Sequence, residues 1–304
     1  MKLPEEMNDK QFQPLLDHVQ RMQQEAGSSA ASLIVIQNGK IVTEWYAGSH
    51  HFKSGARSVS ADSLFNIYST RKTYIGLATA IAVIEGNLDL DKPLHNYMDD
   101  LPQEELAGIT LRDLATKTGA KYFGDPKIER EELVCKLIKQ ITGQNIAQLI
   151  TGKVLNPLGL SHTEWATAPK ESLVCDFQAG DGYASVRIES DEGHERNLYT
   201  STRDLAYWGY LHVQQGRING SQLLPVEVFK LYESLRADEI PEKRILGWYY
   251  QQDWYYATGA AGCHCVIIPE HQAVGVRMYN KYTDNYKEDQ HDFNSTLHSI
   301  LQFQ

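Results

Sequence analysis

Residues 64–76 read Leu-Phe-Asn-Ile-Tyr-Ser-Thr-Arg-Lys-Thr-Tyr-Ile-Gly, a segment that leads into an apolar run. Ser69 and Lys72 lie three residues apart where a helix is predicted to begin, so their side chains share one helix face. A serine hydroxyl is a poor nucleophile until a neighbouring base takes its proton. Lysine can be that base if burial lowers its pKa. The apolar helix favours such burial, and its N-terminal dipole favours negative charge at Ser69.

The spacing of these two residues is weak evidence when taken alone. A serine three positions before a lysine occurs by chance in most proteins of this length, usually as a helix cap and a surface lysine. A catalytic interpretation therefore depends on what surrounds the pair in the rest of the sequence.

Composition and charge exclude several classes of protein. The chain has 304 residues, 42% of them hydrophobic, and a formal charge of −10, which argues against nucleic acid or an anionic membrane surface as partner. No apolar run approaches the roughly 18 residues of a membrane span. The acidic start, Met1–Glu6, is unlike a signal peptide. The four cysteines are too few and scattered for a disulfide framework, so we expect reduced cysteines in a cytoplasmic protein.

Strand and helix patterns occupy different parts of the chain. Asn38-Gly39 separates two β-rich runs within residues 31–48, which predicts a hairpin. Apolar spacing predicts helices over 10–26, 70–85, 109–118, 129–142 and 202–215 and near 293–303. Strands are predicted at Trp248–Trp254, Tyr255–Ile268 and Ala273–Tyr279. Strands thus gather at both chain ends, which predicts an α+β fold with one antiparallel sheet built from both ends and flanked by helices.

A series of ordered segments resembles the serine β-lactamase, penicillin-binding-protein and esterase superfamily, in its class C β-lactamase-like branch. The matching segments are 38–40, 64–72, 85–93, 109–119, 141–143, 157–163, 200–206 and 257–262. The resemblance covers most of the chain and implies the β-lactamase/transpeptidase fold. We expect a discontinuous sheet domain of residues 1–60 and 180–304, a reduced helical subdomain of residues 61–179, and an active site between them.

The resemblance also implies roles for individual residues. Ser69 would form an acyl-enzyme and Lys72 would relay its proton. The run Thr258-Gly259-Ala260 would lie on an edge strand beside the nucleophile, with Thr258 and Gly259 facing the substrate. The backbone N–H groups of Ser69 and Ala260 would form the oxyanion hole. Glycine at position 259 suits a close approach of the backbone to the substrate.

Two departures from the family pattern bear on this site. Relatives carry lysine or histidine before the Thr-Gly pair, where this chain has Ala257. The family's Tyr-x-Asn motif is absent, because residues 125–128 read Asp-Pro-Lys-Ile. Three alternatives remain open for the missing tyrosine. Tyr122 could reach the site, Tyr199 could substitute from another loop, or Lys72 could act without a tyrosine.

No cofactor or metal is expected from the sequence. Cys263-His264-Cys265 has the composition of a metal site, but on a strand the two cysteines share one face and the histidine lies on the other. No second pair of ligands is nearby in the sequence. The expected partner is therefore a small-molecule substrate alone.

The leading functional hypothesis is hydrolysis of a small ester or amide through an acyl-Ser69 intermediate. A D,D-peptidase, a weak β-lactamase and an acyltransferase are alternatives within the same chemistry, since any acyl-enzyme can be captured by another nucleophile. A catalytically silent binding or scaffold protein of the same fold is the alternative from another class. Ala257 and the absent tyrosine favour that alternative, whereas the intact Ser69 and Lys72 oppose it. The sequence leaves the acyl group, the leaving group, the oligomeric state and the pathway undetermined.

Overall fold

The structure, a computed structural model, describes residues 2–98, 106, 108–116, 122–123, 127–177, 184–236, 244–281 and 286–303. The α-helices are α1 Asp9–Ala26, α2 Lys72–Glu85, α3 Leu111–Ala115, α4 Arg130–Thr142, α5 Ile146–Ile150, α6 Asn156–Leu158, α7 Thr202–Val213, α8 Val226–Arg236 and α9 Tyr286–Gln302. None of the described helices combines the length and apolar character needed to cross a bilayer.

The strands are numbered in chain order. They are β1 Ala30–Gln37, β2 Lys40–Gly48, β3 Phe65–Asn66, β4 Tyr122–Phe123, β5 Ile128–Glu129, β6 Thr163–Trp165, β7 Asp176–Phe177, β8 Ala184–Ser185, β9 Leu198–Thr200, β10 Arg217–Ile218, β11 Ser221–Gln222, β12 Arg244–Ile245, β13 Trp248–Tyr250, β14 Tyr255–Thr258, β15 His264–Ile268 and β16 Ala273–Tyr279.

Both ends of the chain contribute to one seven-stranded sheet with the order β12-β13-β14-β15-β16-β1-β2. All of its neighbouring strands pair antiparallel. The two ends meet where β1 pairs with β16, from Ala31 opposite Tyr279 to Gln37 opposite Ala273. The expected α+β fold, with an antiparallel sheet built from both chain ends, is confirmed.

The β1–β2 hairpin forms where the sequence predicts it. Asn38 and Gly39 have φ values of 48° and 74°, the left-handed pair that a two-residue hairpin turn requires. The pairing register of the two strands shifts between Val35 and Ile36, and the strands remain paired on both sides of the shift.

The sheet separates two apolar cores, which explains the continuous apolar run in β1. Ile34 and Ile36 point into the core that contains α2 and α7. Leu33 and Val35 point into the opposite core, against α1 and α9. Successive strand residues face opposite sides, so a strand covered by helices on both sides is apolar throughout.

Helix α2 carries the site segment into the middle of the larger core. Residues 73–83 of this helix are all buried, as the apolar sequence predicts. At Gly76, a Cβ would stand 1.9 Å from the carbonyl oxygen of Leu246, so the glycine allows the β12–β13 turn to lie directly on the helix. Several elements thereby converge on the N-terminal end of α2.

Three elements differ from the sequence-based prediction. Tyr255–Ile268 is two strands rather than one, because a turn at Ala260–Gly262 places Ala261 at a φ of 64°. The predicted strand from Trp248 ends at Tyr250. The C-terminal helix starts at Tyr286, well before Phe293. Within the first half of this helix, Asp289 is buried and pairs with Arg277.

Two helical segments escaped prediction. They are α8 and the run from α5 to α6, which is joined by a π-helical turn at Thr151–Leu155. Helix α8 buries Val228, Phe229, Leu231, Tyr232 and Leu235. These apolar residues recur at helical spacing, but the surface against which they pack is known only from the structure.

Candidate active site

Ser69 lies in a single 3₁₀ turn, Tyr68–Arg71, immediately before α2. The N–H of Tyr68 donates to Asn66 Oδ1 at 2.8 Å, and the Tyr68 hydroxyl donates to Asp176 Oδ2 at 2.6 Å. These contacts hold Tyr68 at a φ of 44°, a conformation that is costly for a bulky residue. The tertiary surroundings therefore fix the backbone directly before the serine.

The end of β14 lies against this turn. The resemblance implied an edge strand here, which is wrong: β14 is an inner strand that pairs with both β13 and β15. A Cβ at Gly259 would stand 2.2 Å from the carbonyl oxygen of Ile67, so only glycine permits this approach. Within the described part of the chain, the N–H groups of Ser69 and Ala260 donate no hydrogen bond to protein atoms. Both donors are therefore available to a substrate oxygen, as an oxyanion hole requires.

Ser69 borders a cavity of about 360 Å³, a volume within the range of small-molecule sites. The other lining residues come from β12, β13, β14, β16, α9 and the turn after β14, and they are Arg244, Tyr249, Thr258, Gly259, Ala260, Gly262, Arg277, Tyr279, Asp289 and Gln290. The predicted site residues Ser69, Thr258, Gly259 and Ala260 thus lie around one cavity.

Lys72 is the first residue of α2, and its ammonium group is engaged away from the serine. Its Nζ lies 3.0 Å from Oε1 of Glu131, which belongs to the first turn of α4. Among the described residues no hydrogen bond joins Lys72 to Ser69. Lys72 and Glu131 line a small cavity of about 50 Å³ next to the Ser69 cavity, and Arg244 borders both.

The charges around Lys72 act in opposite directions. Burial lowers the pKa of Lys72 below its ordinary value, Glu131 raises it, and the guanidinium groups of Arg244 and Arg71 lower it. Burial alone would raise the pKa of the Glu131 carboxyl, but Lys72 and Arg71 bring it down to about 2. The carboxylate is therefore charged at neutral pH, and it controls how readily Lys72 gives up a proton.

Glu131 was not recognised from the sequence. It lies in Arg130-Glu131-Glu132, where acidic residues in a first helical turn are ordinarily explained by the helix dipole. Its neighbour Glu132, which is only partly buried, fits that explanation and pairs with Lys136 at 3.1 Å. Only the packing of α4 against α2 distinguishes the two carboxylates, so no local sequence signal could have identified the buried one.

Arg244 brings a positive charge to the cavity from β12, a strand that was not predicted from the sequence. Its guanidinium lies 4.2 Å from the centre of the Tyr249 ring and donates to the Tyr249 hydroxyl. In the described part of the chain no carboxylate lies within ion-pair distance of it, and its Nε has no hydrogen-bond partner. Ala257, the departure from the expected pattern, is buried.

The two tyrosine candidates have different outcomes. Tyr199 is wholly buried in β9, and its hydroxyl accepts a hydrogen bond from the Arg187 N–H at 2.8 Å. It is not among the residues that line the Ser69 cavity or the Lys72 cavity, so its proposed role as a substitute tyrosine or substrate contact stays a prediction. The backbone of Tyr122 pairs with Glu129 in a short hairpin, but its side chain lies outside the described residues.

The cysteine-rich segment at the start of β15 is packed into the cores. His264 Nε2 lies 2.7 Å from Asn294 Oδ1, and Cys263 and Cys265 are fully buried. A different trio, Cys135, Glu192 and His194, places potential ligand atoms within 4.8 Å of one another. Burial raises the pKa of Cys135 to about 11, which disfavours the thiolate that a metal needs. We assign no metal to either group.

The chain is similar to several known proteins in sequence and in fold. An uncharacterized protein of Alkalihalophilus pseudofirmus is 30% identical over 97% of this chain and 98% of its own length. A β-lactamase of Pseudomonas fluorescens is 23% identical over 66% of this chain and 64% of its own length. The crystal structure of a class C β-lactamase in complex with cefoxitin superposes with a TM-score of 0.78, at 15% identity, over 97% of this chain and 99% of that one.

The last structure shares the fold, in keeping with the sheet and helices described above. The sequence profile of the Beta-lactamase family matches residues 15–297, a range that spans Ser69, Lys72 and the Thr258-Gly259-Ala260 run. The chain therefore belongs to the β-lactamase family of serine hydrolases and penicillin-binding-protein-like proteins.

Proposed function

We propose that the protein hydrolyses a small ester or amide through an acyl-Ser69 intermediate. The observation that carries the proposal is the placement of Ser69 in a cavity of about 360 Å³, beside the unused N–H groups of Ser69 and Ala260. Family membership supports acyl-enzyme chemistry in general. The size of the cavity supports a small substrate.

In the proposed reaction the Ser69 hydroxyl oxygen attacks the substrate carbonyl carbon, and its proton passes to the neutral amine of Lys72. The carbonyl oxygen becomes an oxyanion that accepts hydrogen bonds from the N–H groups of Ser69 and Ala260. Collapse of this intermediate breaks the bond to the leaving group, which takes the proton from Lys72. Water then attacks the ester of Ser69 in the same manner and releases the acid.

Glu131 acts in this scheme as a positioning residue. Its contact of 3.0 Å holds the Lys72 side chain, and its charge raises the pKa of the ammonium. For proton transfer the Lys72 amine turns toward Ser69, and in the resting state it returns to Glu131. The third alternative from the sequence, in which Lys72 works without a tyrosine, is the one we propose.

Arg244 favours substrates that carry a negative charge. Its guanidinium borders the Ser69 cavity without a carboxylate partner among the described residues. A bound carboxylate or similar anion would supply that partner, since guanidinium groups form strong charge-assisted hydrogen bonds with carboxylates. We propose that Arg244 performs the task that the residue at position 257 has in relatives.

The test compares the wild type with Ser69→Ala on p-nitrophenyl butyrate and on a p-nitrophenyl ester that carries one free carboxylate. We expect continuous nitrophenol release from the wild type only, and faster release from the anionic ester. Equal slow release from both proteins would show that Ser69 is not activated and that the fold serves for binding. Faster turnover of a chromogenic cephalosporin than of either ester would favour a β-lactamase.

The proposed compartment is the cytoplasm. The four cysteines form no disulfide, which supports a reducing environment. Fractionation of the source cells with an antibody to the protein tests this, and recovery outside the cytoplasmic fraction would contradict it.

A further inference from the structure

Arg277 of β16 is a buried cation that contacts the turn after β14. The residue is 1% exposed, and its Nη1 donates a hydrogen bond to the carbonyl oxygen of Gly262 at 2.7 Å. Gly262 is the last residue of the turn Ala260–Gly262, whose first residue carries the proposed oxyanion donor. Arg277 also borders the Ser69 cavity. The guanidinium therefore contacts the candidate site through the backbone of this turn.

The turn has a conformation that its own hydrogen bonds hold only weakly. Ala261 has a φ of 64° and a ψ of 8°, which costs free energy in a residue with a Cβ. Within the turn, the Gly262 N–H donates to the Gly259 carbonyl oxygen at 3.2 Å, at the long end of the range for such bonds. The bond from Arg277 is shorter, and a charged donor makes it roughly twice as strong as a neutral one. The guanidinium is therefore a strong support for the end of the turn.

The guanidinium is itself held in place on its other side. Its Nη2 donates to Asp289 Oδ2, and Asp289 Oδ1 lies 2.9 Å from His18 Nε2. The ring centres of Tyr279 and Phe293 lie 4.7 and 5.5 Å from the guanidinium carbon. A guanidinium is a rigid planar fork, so fixing one nitrogen also fixes the direction of the other. The contacts with α1 and α9 thus determine where the turn is held.

Neither substrate charge nor stability accounts for this arrangement. Asp289 neutralises the guanidinium of Arg277, so this residue, unlike Arg244, offers no unpaired charge to an anionic substrate. A buried ion pair commonly stabilises a fold no more than apolar side chains of similar volume would. Apolar side chains, however, could not donate a hydrogen bond to the turn.

We propose that Arg277 is a positioning residue for the oxyanion hole. By bonding the Gly262 carbonyl oxygen, it holds the turn in the conformation that presents the Ala260 N–H to the substrate oxygen. Donors of this kind are effective because they are already in place when negative charge develops. The role rests on the proposed hydrolase reaction, because it concerns the oxyanion hole of the same site.

Arg277→Lys tests this role in the full chain with p-nitrophenyl butyrate as substrate. Lysine keeps the charge and can pair with Asp289, but one ammonium lacks the fork that also reaches the Gly262 oxygen. We expect kcat to fall at least about tenfold with little change in KM, because an oxyanion donor stabilises the transition state more than the bound ester.

His18→Gln is the matched control, because it loosens the same buried cluster on the side away from the turn. It should lower stability toward urea, as Arg277→Lys does, and yet retain the wild-type kcat. Hydrogen exchange gives a measurement that does not depend on activity. The Gly259 and Gly262 amides should exchange at least about tenfold faster in Arg277→Lys than in His18→Gln.

Asp289→Asn is a second variant for the case that Arg277→Lys does not fold. It weakens the anchor of the guanidinium from a charged to a neutral hydrogen bond, so kcat should fall about threefold. A wild-type kcat in folded Arg277→Lys, or in Asp289→Asn where the lysine variant does not fold, would overturn the role of Arg277 and leave the proposed reaction intact.

Two further results would also contradict the proposal. An equal loss of kcat in His18→Gln, or equal amide exchange in the two variants, would show that the cluster acts through stability alone. Equal nitrophenol release from the wild type and Ser69→Ala would overturn the proposed reaction, and the role of Arg277 with it.

Discussion

Glu131 and Lys72 form a mostly buried ion pair at the N-terminal end of α2, with 9% and 18% of their side chains exposed. A charge pair of this kind holds both partners ionised. In the proposed reaction, however, Lys72 must be neutral before it can accept the Ser69 proton. The carboxylate therefore positions the amine but also disfavours its neutral, basic form. Measuring the rate as a function of pH separates these two effects.

Glu131→Gln should move the rising limb of the kcat/KM profile to lower pH by at least about one unit. The reason is that Glu131 raises the pKa of Lys72, so its removal lets the amine become neutral earlier. The measurement is ester hydrolysis between pH 5 and 10. Glu132→Gln, one residue along the same turn and paired with Lys136 at the surface, is the control and should leave the profile unchanged. A shift to higher pH in Glu131→Gln would contradict the assigned role.

Arg244→Gln should raise KM about tenfold for an ester that carries a carboxylate and leave KM for a neutral ester unchanged. The expected loss corresponds to one charge-assisted hydrogen bond at the Ser69 cavity. Arg217→Gln, on an exposed position of β10, is the matched control. Equal effects of Arg244→Gln on both esters would assign the arginine a structural role only.

At the scale of elements, the site depends on the approach of β14 to the turn that contains Ser69. Gly259→Ala should lower the free energy of unfolding by about 1–3 kcal/mol, because the added Cβ would stand 2.2 Å from the Ile67 carbonyl oxygen. It should also slow acylation more than tenfold by displacing the Ala260 N–H. Urea unfolding and stopped-flow ester kinetics measure the two effects.

Gly152→Ala is the control for that change. Gly152 has open space where a Cβ would be added, so this variant should lose neither stability nor rate. Full activity in Gly259→Ala would mean that the end of β14 takes no part in catalysis.

Short sequence patterns predicted the elements whose conformation depends mainly on neighbouring residues. Asn38-Gly39 specified its hairpin, and the apolar run after Lys72 specified a buried helix. The sequence did not predict that residues 255–268 divide into two strands, because the small residues at the turn are also compatible with a strand. Ser69 and the Thr258-Gly259-Ala260 run came from the family resemblance, whereas Glu131 and Arg244 depend on contacts between distant elements that no sequence pattern records.

At the scale of the whole molecule, one buried polar cluster links the two ends of the chain. Asp289 of α9 pairs with Arg277 of β16 and lies 2.9 Å from His18 Nε2 of α1. Asp289→Asn should lower the free energy of unfolding by about 3 kcal/mol, because it leaves a buried guanidinium without a counter-charge. Glu6→Gln, which breaks an exposed pair with Lys40, should change it by less than about 0.5 kcal/mol.

The same cluster predicts a pH dependence of stability. Burial raises the pKa of the Asp289 carboxyl, but Arg277 and His18 more than offset this and hold it below its ordinary value. A depressed pKa contributes stability that is complete above the unfolded value near 4 and is lost as pH falls through the folded value. The difference in stability between wild type and Asp289→Asn should therefore shrink below about pH 4. A difference that is constant from pH 2 to 7 would contradict this.

The most direct test of the proposed function is to locate the covalent intermediate. The protein would be mixed with p-nitrophenyl butyrate, quenched in acid within milliseconds, digested and mapped by tandem mass spectrometry. The proposal predicts one butyryl group on Ser69 in the wild type and none on any residue in Ser69→Ala. Ester turnover without an adduct on Ser69, or an adduct on another residue that persists in Ser69→Ala, would contradict it.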